Sequence, residues 1–141
     1  MDELIIGSEG GITLKFFSRH FDENGWLDAY SVGADAPNLH VTLRAENPPF
    51  GGSSPAGFFE DIASNWAGWK GEKGWGAIEG EFSLSASSDS VGHITVVADL
   101  NPFQAAAPSW RVILSIVLEA GTVERLADDA KDFFSPARTR A

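Results

Sequence analysis

The three histidines have the widest chemical range of any side chains in this sequence, because imidazole can transfer protons near neutral pH and can bind metals. His20, His40 and His93 fall on three separate predicted strands, and no two of them have the short spacing typical of a metal site. We therefore predict that each histidine is solvated or hydrogen-bonded, with no metal and no other cofactor. A site assembled from distant segments is the alternative.

No other catalytic group stands out. The chain has 20 acidic residues, so neighbouring carboxylates such as Asp128 and Asp129 carry little information. A glycosidase needs two carboxylates facing each other across a cleft, and the sequence nominates no such pair. Cysteine and the Gly-x-Ser-x-Gly pattern of a hydrolase nucleophile are both missing. The sequence thus predicts no catalytic residue and a non-enzymatic protein. An enzyme that joins His40 or His93 to a carboxylate is the alternative.

A glycine-rich segment runs from Gly68 to Gly80. It lacks the Gly-Lys-Ser/Thr of a phosphate-binding loop, and it follows a predicted helix instead of preceding one. We interpret it as a helix end, a loop and the entry to a strand. Trp66, Trp69 and Trp75 flank it. Burial in the core is one interpretation of these residues. In the other, Trp69 or Trp75 is exposed as an anchor for a partner or as a platform for a sugar.

The first half of the chain predicts three strands and a helix. Apolar and polar residues alternate over 12–21, more weakly over 26–34, and most clearly over 39–46, and turn residues separate the three segments. Ser54 has the chemistry of a helix N-cap and Pro55 suits the first helical position. We predict that this helix continues to residue 69.

The second half repeats the pattern. Strands are predicted over 81–87 and 93–100 from their alternation. The nearly continuous apolar segment 110–119 predicts a central strand covered on both faces. A second helix is predicted to begin after Gly121 and Thr122 and to stop before Pro136.

Together these elements predict an α+β fold in a single domain over residues 1–141. We expect a curved antiparallel sheet of six to seven strands with two helices packed on it, in the order βββα βββα after a short N-terminal strand. The tail, residues 136–141, is expected to fray.

The charge narrows the classes of partner. The formal net charge is −10; residues 1–69 carry ten acidic and three basic residues, and residues 70–141 carry ten and seven. This disfavours nucleic acid and anionic membranes and favours a basic protein, or it provides a solvated surface. The acidic N-terminus lacks the pattern of a signal peptide, and no stretch has the length of a membrane span. We expect a cytoplasmic protein that does not bind membranes.

Residues 89–100 and 110–126, together with Trp69 and the Trp75-Gly76 pair, resemble a bacterial family of uncharacterised small proteins that is similar to WapI-type immunity proteins. The resemblance covers about residues 12–134. It implies a small, acidic, cytoplasmic protein that protects a cell by binding a polymorphic toxin. It implies no catalytic residue.

The sequence therefore predicts a non-enzymatic protein-binding domain, namely an immunity-type inhibitor of a basic toxin. A carbohydrate- or small-ligand-binding module and a purely structural role are the alternatives. We expect a monomer or a weak homodimer. The candidate partner-binding residues are Asp22, Glu23, Asp28, Asp35, Glu46, Glu60, Asp61, Trp69 and Trp75.

Overall fold

The computed structural model describes residues 1–7, 11–48, 53–102 and 110–137. It contains two four-stranded antiparallel sheets, and each is followed along the chain by one helix. The predicted α+β class is confirmed.

The first sheet is a meander, with its strands side by side in chain order. Its elements are β1 (Leu4–Gly7), β2 (Thr13–Phe21), β3 (Leu27–Ala36) and β4 (Leu39–Glu46), and α1 (Pro55–Ser64) follows. Val32 pairs with Phe16 on one side and with Leu43 on the other, and all three are buried. This register places the apolar residues of three strands on one face.

The second sheet repeats this arrangement. It comprises β5 (Lys73–Gly76), β6 (Phe82–Ser88), β7 (His93–Leu100) and β8 (Val112–Glu119). A 3₁₀ turn over Ala120–Thr122 leads into α2 (Val123–Phe133), which confirms the predicted start of the second helix.

The prediction of one sheet of six to seven strands is wrong. The chain does not pair β4 with a strand of the second half; it passes through α1 and starts a new sheet at β5. β5 was missed because it has only four residues, two of them glycines, inside the segment interpreted as a loop. Such a strand gives almost no alternation for a sequence pattern to detect.

The first helix begins as predicted but ends earlier. Ser54 Oγ accepts a hydrogen bond of 3.2 Å from the Ala56 N–H, which confirms the N-cap, and Pro55 occupies the first turn. The helix ends at Ser64, five residues before the predicted end. The Asn65 side chain there donates to the Asp61 carbonyl at 2.9 Å. Trp66 and Trp69 therefore lie outside the helix.

The two sheets and the two helices share one hydrophobic core. Phe16 of β2 lies in the middle of this core and contacts side chains from several elements. Its ring centroid lies 5.7 Å from that of Phe82 in β6 and 5.4 Å from that of Phe134, just after α2. The helices also pack against each other, and α1 approaches β5 while α2 approaches β1.

The carboxyl-terminal end of the described chain is attached to the first sheet. The Ala137 N–H donates to the Gly25 carbonyl at 2.9 Å. The rest of the segment predicted to fray, 138–141, lies outside the described residues. Within the described part of the chain, neither helix has the length and apolar character needed to cross a membrane.

The prediction that β8 is a central strand covered on both faces is also wrong. β8 is an edge strand, and its outward side chains Ile113 and Val117 are 55% and 49% exposed. Only its inward side chains, such as Ile116, enter the core. The apolar residues on both faces made the strand resemble one from the middle of a sheet.

The exposure of Ile113 and Val117 predicts that charged residues are tolerated on the outer face of β8. We expect Ile113→Lys and Val117→Lys each to change the free energy of unfolding by about 0.5 kcal/mol or less. The matched variant Ile116→Lys should prevent folding, because it buries an unpaired charge. Urea unfolding followed by circular dichroism measures all three, and an equal loss in all three would contradict the exposure of this outer face.

Candidate functional site

A groove between the two helices combines negative charge with an exposed aromatic ring. Its volume is about 420 Å³. We call it the helix groove and define it by Glu60 of α1, Trp66 of the turn after α1, and Glu124, Asp128 and Lys131 of α2.

The spacing along α2 explains how these charges share one groove. Glu124, Asp128 and Lys131 are three or four residues apart, so they lie along one side of the helix. The buried residues of α2, including Val123 and Phe133, face the core instead. Glu124 also lies in the first turn, where the helix dipole stabilises a negative charge.

The carboxylates of the helix groove are not neutralised within it. Among the described residues, none of its three acidic side chains has a cation within 4 Å, although Lys131 lines the same groove. Trp66 is 62% exposed. Exposed tryptophan is enriched at protein interfaces, and charged residues such as these carboxylates are typical of the polar rim around an interface core.

Most of the acidic residues that the sequence predicted to bind a partner instead contact nearby groups of the protein itself. Asp22 Oδ1 accepts hydrogen bonds of 2.9 Å from the backbone N–H groups of Asn24 and Trp26, which closes the turn between β2 and β3. Asp28 contacts His20 Nδ1 at 2.6 Å. These carboxylates therefore stabilise turns and strand ends.

Each histidine has an aspartate at Nδ1, and this confirms that each is hydrogen-bonded. His40 pairs with Asp35, and His93 pairs with Asp89 at 3.1 Å. The backbone N–H groups of His93 and Val91 also bond Asp89, and they are the main cause of its lowered pKa. Among the described residues, no three His, Asp or Glu side chains gather closely enough to hold a metal ion.

The candidate partner-binding acids do not form one surface. Asp22, Glu23, Asp28 and Glu46 lie at one end of the first sheet, and Asp35 lies at the other. Glu60 and Asp61 lie on α1, but only Glu60 lines the helix groove. Asp61 instead pairs with Lys73 at 3.1 Å.

The tryptophans differ in solvent exposure in a way that the sequence analysis did not predict. Trp66 is exposed, whereas Trp69 and Trp75 are half-buried against the core. Trp75 Nε1 donates to Ser53 Oγ at 3.1 Å, and the Lys73 ammonium lies 5.2 Å from the Trp69 ring centroid. The difference was missed because a helix predicted to continue to residue 69 places Trp66 and Trp69 on the same side.

A second acidic cleft lies where the two sheets meet, and its volume is about 450 Å³. We call it the acidic cleft and define it by Arg44 and Glu46 of β4, Glu79 and Glu81 before β6, and Trp110 before β8. Of the predicted partner-binding residues, only Glu46 lines it. Glu79, Glu81 and Trp110 were not singled out from the sequence as site residues, because only the meeting of the two halves brings them together.

Comparison with known proteins supplies a family but no activity. A family model described as a family of unknown function (DUF6228) matches residues 5–137. No curated protein and no solved structure gives a significant match.

Proposed function

The chain belongs to the DUF6228 family, and we propose that it is a non-enzymatic protein-binding domain that holds a basic partner at the helix groove. The observation that supports this most is the exposure of Trp66 beside three acidic side chains without a cation within 4 Å among the described residues.

Both parts of the groove have a recognised role in protein association. A tryptophan is among the side chains that most often dominate binding energy, because a partner can cover its large rigid ring. Unpaired carboxylates attract a cationic partner from a distance and raise the association rate. The remaining negative charge of the chain acts in the same direction, since the formal net charge is −10.

We propose that the partner is a toxin domain with a basic surface, and that binding neutralises it. Toxins that act on nucleic acid need basic clefts to bind phosphates. An acidic protein that covers such a cleft excludes the nucleic acid. The resemblance of the sequence to a bacterial family that is similar to WapI-type immunity proteins favours the same role.

The test is calorimetric titration with a basic effector domain encoded beside the gene, at 20 mM and at 500 mM salt. We expect binding at low salt that weakens at least tenfold at high salt, because surface charges are screened. Trp66→Ala should weaken binding about tenfold or more, mainly through faster dissociation.

A matched pair of charge reversals locates the surface. Glu124→Lys in the helix groove should slow association several-fold. Glu23→Lys makes the same change in net charge at the strand ends and should have a smaller effect. The reverse order of effects would assign the partner to the strand ends, and no binding at low salt would reject the proposal.

A carbohydrate-binding module is the second candidate, because an exposed indole beside carboxylates can also stack on a sugar. Its signature is different. Sugar binding should depend on Trp66 but hardly on salt, because the ligand carries no charge. Binding to a glycan array that survives 500 mM salt and is lost in Trp66→Ala would favour this candidate.

A further inference from the structure

The acidic cleft brings together three carboxylates from two separate parts of the chain. Glu46 ends β4, Glu79 lies in the turn between β5 and β6, and Glu81 immediately precedes β6. Arg44 is the basic residue among those that line the cleft. Within the described part of the chain, none of the three carboxylates has a cation within 4 Å.

The burial of Glu81 distinguishes the acidic cleft from an ordinary acidic surface. It lines the cleft but is only 4% exposed. Its Oε2 accepts a hydrogen bond of 3.1 Å from the Glu46 N–H, while its buried Oε1 has no hydrogen-bond partner among the described residues. A buried carboxylate without a counterion is costly and buried charges in proteins are usually paired, so Glu81 is suited to a cationic partner.

Trp110 specifies the kind of cation. It is half-buried beside the carboxylates and offers an aromatic surface. A guanidinium is planar, so it can stack on an indole and donate two parallel hydrogen bonds to a carboxylate at the same time. An ammonium is a compact, strongly hydrated charge that cannot do both. The volume of about 450 Å³ is within the range of ligand pockets and holds an arginine-sized group.

We propose that the acidic cleft is a binding site for a guanidinium group, held between Trp110 and the carboxylates of Glu46 and Glu79 above the buried charge of Glu81. The group can come from a free guanidinium compound or from an arginine side chain of another protein. This site shares no lining residue with the helix groove, so the proposal does not depend on the proposed function.

The experiment titrates the whole chain with two probes at 20 mM salt, and NMR records the five tryptophan indole N–H signals. The probes are agmatine and the capped peptide acetyl-Gly-Arg-Gly-amide, and the Trp110→Phe variant identifies the Trp110 signal. The control is the same peptide with citrulline, which has the shape of arginine without its charge. We expect the Trp110 signal to move with both guanidinium probes and not with citrulline.

Variants connect the shift to the carboxylates. Glu46→Gln and Glu79→Gln should each raise the dissociation constant about threefold or more, and the double variant about tenfold. Glu60→Gln makes the same change in the helix groove and should leave the constant unchanged. A tenfold preference for the peptide would identify a protein arginine as the ligand, and equal or tighter agmatine binding would identify a free compound.

Three results would overturn the proposal: equal binding of the citrulline peptide, shifts confined to indoles other than Trp110, or constants unchanged in the double variant. None of them depends on whether a basic partner binds the helix groove. A failed effector titration would in turn leave the guanidinium site untouched, so the two proposals fail independently.

Discussion

Replacing Phe16 with alanine should lower the free energy of unfolding by about 3–5 kcal/mol, the usual cost of removing a fully buried aromatic side chain. Phe16 is completely inaccessible to solvent. Its ring contacts Phe82 of the second sheet and Phe134 after α2, so the cavity opens where three parts of the core meet. Because the side chains around Phe16 are closely packed, the cavity can close only in part.

Phe17→Ala is the matched control for this prediction. Phe17 is the next residue of β2, so it points to the opposite face, where it is half-buried and the Lys15 ammonium lies 4.7 Å from its ring centroid. We expect a loss of about 1–2 kcal/mol, because part of the ring is already solvated. Urea unfolding at 25 °C followed by circular dichroism compares the two. Equal losses would contradict the assignment of Phe16 to the shared core.

Local patterns predicted the strands well because alternation is a property of neighbouring residues. The inward residues predicted for β7, namely Ile94, Val96, Ala98 and Leu100, are all buried. Ser54 and Pro55 likewise marked the start of α1, because a helix cap uses groups within a few residues of each other.

The division into two sheets could not be predicted in this way. Whether β4 pairs with a strand of the second half depends on contacts between distant segments, and alternation within each strand is the same in either case. The edge position of β8 was hidden for a related reason. Apolar residues such as Ile113 and Val117 look buried in sequence, but they lie on the outer face of the second sheet, which is exposed to solvent.

The two candidate sites could not be predicted for the same reason, because each is formed by segments that are distant along the chain. Glu124 and Asp128 look like an ordinary solvated helix face until α1 and Trp66 are placed beside them. Glu81 follows a glycine and looks like a solvated loop residue, but in the structure it is buried and accepts a hydrogen bond from the backbone of β4. The charge composition predicted a positively charged partner but not the surface that binds it, because 20 acidic residues can be arranged on many surfaces.

The hydroxyl end of the Tyr30 side chain is buried in the core. Its hydroxyl is inaccessible and has no hydrogen-bond partner among the described residues, and its ring lies 5.2 Å from that of Phe134. Burial raises the pKa of Tyr30 far above its ordinary value of 10, and the negative charge of Glu81 raises it further. We therefore expect the phenol to stay protonated while the chain is folded.

Alkali should consequently unfold the protein and ionise Tyr30 in one step. Above pH 10 the unfolded chain loses the phenolic proton and the folded chain keeps it, so this residue alone removes about 1.4 kcal/mol of stability per pH unit, or about 3 kcal/mol at pH 12. Tyr30 is the only tyrosine in the chain, so the absorbance of tyrosinate at 295 nm reports on it directly. We expect that absorbance to rise together with the loss of circular dichroism, and Tyr30→Phe to retain about 3 kcal/mol more stability at pH 12, relative to its own value at neutral pH, than the parent chain. Ionisation near pH 10 with the dichroism intact would show that the hydroxyl reaches solvent in the folded state.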